Sequence, residues 1–211
     1  MFYNKKFCPD SKSHIGVISY KQELVIFLCY YQIKGTAMPI SDIMQKMIEY
    51  SNGNLHDINN FIKVHSFSRT IAEGVNEWAI VNNEPNRCID EETKFILEVA
   101  AITHDIACPI CREKYGNTNG KYQEIEGESL VREFLTDTDL TQKQIDRVAY
   151  LIAHHHTYKD VDGIDYQILL EADYIVNADE SNYSKENIKN TKEKIFKTKS
   201  GIKLLELIYG A

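Results

Sequence analysis

The chain lacks a long apolar run, a basic stripe and a paired set of cysteines, and each absence removes a class of protein. Its longest apolar stretch, LVIFLCYY at residues 24–31, falls well short of the roughly 20 residues that a membrane helix needs. Lys5, Lys6, Lys12 and Lys21 precede it in the manner of a signal peptide, but no small-residue cleavage site follows. A membrane partner is not expected. The formal net charge of −7 runs against a surface built to coat a nucleic-acid polymer, which would carry basic stripes. The five cysteines, Cys8, Cys29, Cys88, Cys108 and Cys111, are odd in number and scattered, which excludes a disulfide framework and points to reduced thiols in a cytoplasmic protein. No segment sustains period-two alternation and no internal repeat is visible, so neither a β-sheet protein nor a solenoid is expected.

What remains is globular. A chain of 211 residues, 43% hydrophobic and 26% charged, is long enough for one well-cored domain. Residues 1–37 differ from the rest: they hold MFYNKKFCPDSKSHIGVISYKQ, the apolar run and the breaker KGTAMP. Two readings of this extension stay open, an accessory strand or helix packed on the domain, and a reading frame extended upstream of a natural start at Met38. No functional residue is placed there. The domain itself is expected over residues 38–211 as a single all-α helical bundle.

The helical pattern begins with Ser41 as cap of IMQKMIEY and Asp57 as cap of INNFIKVHSFSRTIAEGVNEWAIV. In the latter, Phe61, His65, Ser68, Ala72, Val75 and Ala79 share one face. Asp90, Glu91 and Glu92 open ETKFILEVAAITHDIA, acidic where a helix N-terminus favours it, and Pro109 is expected to end it. CREKYGNTNGKYQ reads as a loop. Helices follow at EIEGESLVREFLTD, at QKQIDRVAYLIAHHH after a Thr141 cap, and at YQILLEADYIVNADE after the turn DVDGID. Two more begin at Ser184 and near Ser200.

Three of these helices carry ionisable residues where the pattern asks for apolar ones. His65 shares its face with Phe61 and Ala72, His104 lies one turn beyond Ala100 beside Asp105, and Asp173 sits within LLEADYIV. Each alone reads as a hydrogen-bonded core residue. Together, nitrogen and oxygen donors on facing helices are how bundles build metal sites, and two imidazoles with two carboxylates suit a borderline or hard divalent ion.

The ordered set His65, His104-Asp105, Asp173, with the flanks VAAITHDIA and LLEADYIVNA, resembles the HD-domain superfamily of metal-dependent phosphohydrolases and its H…HD…D signature, over roughly residues 55–180. The resemblance implies one divalent ion (Mn, Fe, Co, Ni, Zn or Mg) on His65, His104, Asp105 and Asp173. It also implies a metal-activated water, which Asp105 is placed to orient, attacking a small phosphomonoester or nucleotide. Arg69, one turn after His65, and the loop cations Arg112 and Lys114, with Lys121 behind them, are candidate phosphate anchors. Family members commonly carry a histidine where His154-His155-His156 ends its helix. His154 and His155 are the candidates for the site, with His156 facing solvent.

Two departures bear on mechanism. The glutamate that many nucleotidase-type members carry three residues after the HD aspartate is Cys108 here, with Glu113, Glu124 and Glu128 as substitutes not settled by spacing. The HExxG histidine of many two-metal members is Gln123 in QEIEG, which makes one metal the expectation. CPIC, residues 108–111, lacks a second CxxC and reads as buried or incidental thiols. Two other functions stay open, an HD-type di-iron oxygenase drawing on His154 and His155, and a non-catalytic metal-bound sensor. The pocket is expected between the loop from Cys111 to Tyr122 and the turn around Tyr158 to Asp165, where Tyr115, Tyr122 and Tyr158 are available to stack on a base. The resemblance implies a small phosphorylated molecule as partner; a homo-oligomer stays open.

Overall fold

The computed structural model describes residues 40–210. The extension, with Cys8, Cys29 and LVIFLCYY, lies outside them. Among the described residues the chain is all helix and turn, without strands. In order the helices are α1 (Ile40–Tyr50), α2 (Leu55–Val81), α3 (Glu91–Thr103), α4 (Cys108–Tyr115), α5 (Gly120–Leu135), α6 (Gln142–Ile152), α7 (Ile164–Glu180), α8 (Lys185–Lys194) and α9 (Lys199–Tyr209), with a 3-10 turn at Pro85–Arg87. No helix among the described residues is long and apolar enough to cross a membrane.

Helix α7 is buried without interruption from Asp165 to Val176, and α3 from Val99 to Thr103. A helix apolar all round belongs at the centre of a bundle. Helix α2 lies along both of them, while α6 packs on α3 and on α5. Ile102, Ile106, Leu151, Ile152, Ile168 and Leu169 are fully enclosed, each contributing about 1.5–3 kcal/mol through burial. The His104-Asp105 turn therefore comes out of the middle of the core.

Capping follows the sequence in part. Asp90 accepts from the Thr93 N–H at 2.7 Å, Thr141 forms a reciprocal capping box with Gln144, and Ser184 accepts from the Asn187 N–H at 3.2 Å. Asp57 does not cap α2. Asn54 does so three residues earlier, accepting from the His56 and Asp57 N–H groups, which leaves the Asp57 carboxylate free for a long-range partner. Ser41 lies inside the first turn of α1, its hydroxyl turned to Asp42, while α9 opens near Ser200 as expected, at Lys199 with Thr198 as its cap.

Pro109 also departs from expectation. Helix α3 stops at Thr103, and Pro109 sits in the first turn of α4, where its missing N–H would have had no helical partner anyway. Nine of the thirteen residues of the expected loop CREKYGNTNGKYQ are helix, CREKY in α4 and GKYQ in α5.

The C-terminal helix closes on a buried carboxylate. A Cβ at Gly201 would collide with Glu171 Oε2 and stand 2.8 Å from Thr198 Oγ1. Gly201→Ala is expected to cost about 1–3 kcal/mol as overpacking, read as a lower thermal midpoint. An unchanged midpoint would mean that α9 can slide away from α7 without penalty.

Candidate metal centre

The apolar run of α3 ends in a turn, His104–Ala107, held by Ile106 N–H donating to the Thr103 carbonyl at 3.0 Å and Cys108 N–H to the Asp105 carbonyl at 2.9 Å. Inside this turn His104 is fully buried. Its Nδ1–H donates to the Ala101 carbonyl at 2.9 Å, which turns Nε2 toward the neighbouring carboxylates. That atom lies 3.5 Å from Asp105 Oδ2 and 3.4 Å from Asp173 Oδ1. Asp173 is steadied by the Asn177 side-chain amide at 2.8 Å.

The end of α6 repeats the device. His155, also fully buried, donates from Nδ1 to the Ile152 carbonyl at 2.7 Å and brings Nε2 to 3.7 Å from Asp105 Oδ1. The two rings meet edge to face, centroids 5.5 Å apart. Asp105 thus offers one oxygen to each imidazole. Donor atoms of Asp105, His155 and His156 lie within 4.8 Å of one another.

The charge balance follows from this packing. Burial pulls the His104 imidazole down, but the Asp105 and Asp173 carboxylates outweigh it and hold the group up at about 9. Burial pushes the Asp105 carboxyl up, and the neighbouring His104 and His155 imidazoles overcome this, leaving it well below the ordinary carboxylate range. His156 goes the other way: burial and then the neighbouring His155 lower it to about 4.

The residues present fit a divalent cation. The Nε2 atoms of His104, His155 and His156 are buried with no hydrogen-bond partner. An unpartnered polar atom in a core is costly, and a backbone bond at Nδ1 that presents Nε2 is the way ligating histidines are oriented. His104 and His155 are held in this way, and three unpartnered nitrogens around two carboxylates have the chemistry of a metal site rather than of a satisfied polar core.

The structure assembles His104, Asp105, Asp173 and His155. His65 stays apart, its Nε2 2.8 Å from Glu98 Oε2. The reason is helical phase. Asp57 and Asn60 of α2 turn to α4 and α7, and His65 lies about 140° around the helix from Asn60 at 100° per residue. Asp57 holds Arg112 through both guanidinium nitrogens. Asn60 is buried, donates to Glu180 at 3.0 Å and leaves its Oδ1 unpartnered. His65→Ala is accordingly expected to retain its metal content, measured on protein prepared without chelator. Loss of the metal would return His65 to the ligand set.

Within the histidine run the expected order is also revised. His156 joins the cluster with its Nε2 buried, while His154 donates to the Tyr150 carbonyl at 2.7 Å and stacks on the Tyr150 ring. The chain turns at His154, so the rings do not follow a helix's 100° fan. Two residues of α5 accommodate His156, and of these Gly120 was not foreseen in the sequence. Gly120 opens α5 with no side chain, where a Cβ would stand 2.5 Å from the His156 ring. Glu124 accepts from the His156 N–H at 3.0 Å and the Thr157 hydroxyl at 2.9 Å. The small residue before a polar helix start was the available signal.

The candidate anchors separate. Arg69 faces Glu98 and Glu73 beside His65, and Lys114 pairs with Glu126 at 2.6 Å. Arg112, though engaged by Asp57, stands within electrostatic reach of Asp105. Lys121 lines an open cleft with Asn117, Thr118 and Tyr122, where Tyr122 stacks on Tyr115 at 4.0 Å. A second cavity of about 400 Å³ is lined by Tyr158, Tyr174, Tyr183, Asn187 and Lys194. The Tyr158 hydroxyl is pushed up by burial and then by the Asp173 charge, so this cavity wall lies within electrostatic reach of the centre. The CPIC thiols are free and buried, and burial with the Asp105 charge pushes the Cys108 thiol far up, which makes it unreactive.

An all-helical bundle whose buried His-Asp turn meets an aspartate from the central helix defines a metal-binding helical domain. The family model for the HD domain matches residues 55–195, two thirds of the chain, and the protein belongs to the HD domain family. That family consists largely of metal-dependent phosphohydrolases. No curated protein and no solved structure gives a match.

Proposed function

We propose that the protein is a metal-dependent phosphohydrolase acting on a small phosphomonoester or nucleotide. The observation that carries this reading is the pair of buried, unpartnered Nε2 atoms of His104 and His155, aimed at opposite oxygens of Asp105. His104, Asp105 and Asp173, with His155, would hold one divalent ion. Such an ion lowers the pKa of water and polarises a phosphoryl oxygen.

The protein's own groups do the rest. The Ala101 and Ile152 carbonyls keep both imidazoles in the tautomer that presents Nε2. Asp105 orients the attacking water, and Asn177 keeps Asp173 from swinging away. Arg112 adds positive potential beside Asp105. The cavity beyond Tyr158 receives the remainder of the ester, with Tyr183 as an apolar wall and Lys194 at its edge.

Removing and restoring metal tests this directly. Protein stripped with chelator should release no phosphate from a panel of phosphomonoesters and nucleotides. Restoring about one equivalent of Mn, Fe, Co, Ni, Zn or Mg should return the activity. Release that persists in stripped protein defeats the proposal, and two irons per chain with oxygen consumption would replace it with oxidative chemistry.

A further inference from the structure

A cavity of about 350 Å³ lies at the opposite end of α2, between that helix, the start of α7 and the approach to α9. Trp78 is five turns along α2 from Asn60, roughly 27 Å at 1.5 Å per residue. The cavity shares no lining residue with the metal centre or with the tyrosine-lined cavity.

Its wall is apolar, formed by Val75, Trp78 and Ile164, and its rim is cationic, formed by Arg87, Lys197 and Lys199. The Lys199 ammonium stands 4.2 Å and the Arg87 guanidinium 5.7 Å from the Trp78 ring centre. Lys197 donates to the Lys194 carbonyl at 3.1 Å. Among the described residues, neither lysine forms an ion pair with a carboxylate. Arg87 meets Glu84 at 2.9 Å in an exposed pair of the kind that contributes little and yields to a better partner. The carboxylate beneath the floor, Glu171, is turned away from the cavity by its own donors, the Lys197 and Thr198 N–H groups, the Thr198 hydroxyl and the Gln167 amide.

Three cations around an apolar wall are unusual in a chain of net charge −7. The volume is at the small end of ligand pockets, which run from roughly 300 to 1,000 Å³. A phosphate monoester carries about −1.5 to −2 charges at neutral pH, which suits three cations better than a single carboxylate does. We propose that this cavity binds a small aromatic phosphate monoester, its ring against Trp78, Val75 and Ile164 and its phosphate at Arg87, Lys197 and Lys199. The site stands independently of the reaction at the metal centre.

Trp78 is the only tryptophan of the chain, so intrinsic fluorescence reads this cavity. Titrations are made on the full chain carrying Asp105→Ala, which removes turnover and the metal centre from the signal. Adenosine monophosphate and phenyl phosphate should each give a saturable change, at least about tenfold tighter than adenosine or inorganic phosphate. Adding Lys197→Glu and Lys199→Glu, both exposed and outside the core, should weaken it by about tenfold or more. Equal binding of inorganic phosphate would overturn the aromatic half of the assignment, and equal binding of adenosine the phosphate half. Isotherms unmoved by the charge reversals, or no saturable change with either ester, would overturn the site altogether.

Discussion

Asp105→Ala is expected to empty the metal centre and lower phosphate release by at least about a thousandfold, the order seen when a single group stabilising transition-state charge is removed. Among the described residues Asp105 faces both imidazoles, at 3.5 Å from His104 and 3.7 Å from His155. Without it the two rings confront each other across 5.5 Å with no anion between them, and Asp173 alone cannot draw a cation into so enclosed a place. The fold should survive, because Asp105 lies in a turn whose packing comes from Ile106, Ala107 and the α3 run. Circular dichroism and the thermal midpoint check that point, and metal analysis per chain checks the main one. Asp105→Asn separates charge from shape: it keeps the volume and should still lose the ion. Equal phosphate release from wild type and Asp105→Ala would mean that a contaminating phosphatase supplies the activity.

The second large effect lies far from that centre. Glu171 is fully enclosed in the middle of α7. Its Oε1 accepts from Gln167 Nε2 at 2.8 Å, Lys197 N–H at 2.7 Å and Thr198 N–H at 2.9 Å, and its Oε2 from the Thr198 hydroxyl. This one side chain therefore satisfies the backbone that leads into α9. Glu171→Ala would strand two backbone donors in a dry site at about 1–3 kcal/mol each, for a total of about 3 kcal/mol or more. In a domain of this size that lowers the thermal midpoint by roughly 6–12 °C. Glu171→Gln keeps an acceptor for the three N–H donors, and the Thr198 hydroxyl can rotate to accept from the new amide, so a far smaller loss is expected. A glutamine variant as unstable as the alanine one would show that the charge, rather than the acceptor, holds α9.

The pH dependence of that pair has a definite sign. Burial raises the Glu171 carboxyl above its ordinary value of 4.5, against the opposing pull of its hydrogen bonds. The folded state then binds the proton more tightly than the unfolded one. Its contribution to stability is greatest below the unfolded value and declines as pH rises through the folded one. The midpoint of Glu171→Gln should therefore gain on that of wild type as pH climbs through this window, since the amide does not titrate. Parallel melting curves at acid and neutral pH would show that the carboxyl is not perturbed.

Much of this protein was legible before any tertiary contact was known. Apolar residues at helical spacing between Asp90, Thr141 and Ser184 caps specify helices, and the absence of period-two alternation excludes sheets, because these are local properties of the chain. The metal chemistry was legible for an energetic reason: a run such as VAAI commits its successors to the interior, and histidine and aspartate are placed there only with a compensating partner. His104, Asp105 and Asp173 follow from that argument, and the structure brings all three together.

What the sequence could not decide was orientation. Periodicity placed His65 on an apolar face of α2, but a long helix packed between two neighbours has more than one buried face. Only the positions of α3 and α7 determine that Asn60 turns to Glu180 on α7 while His65 turns to Glu98 on α3. Likewise, three consecutive histidines are equivalent as a string. The choice of His155 and His156 over His154 depends on where α6 stops turning, and on a missing side chain at Gly120 on another helix. Local sequence determined which elements form and which residues need a partner when buried; packing determined which of them meet, because a rotation of 100° per residue turns small differences in helix phase and length into different neighbours.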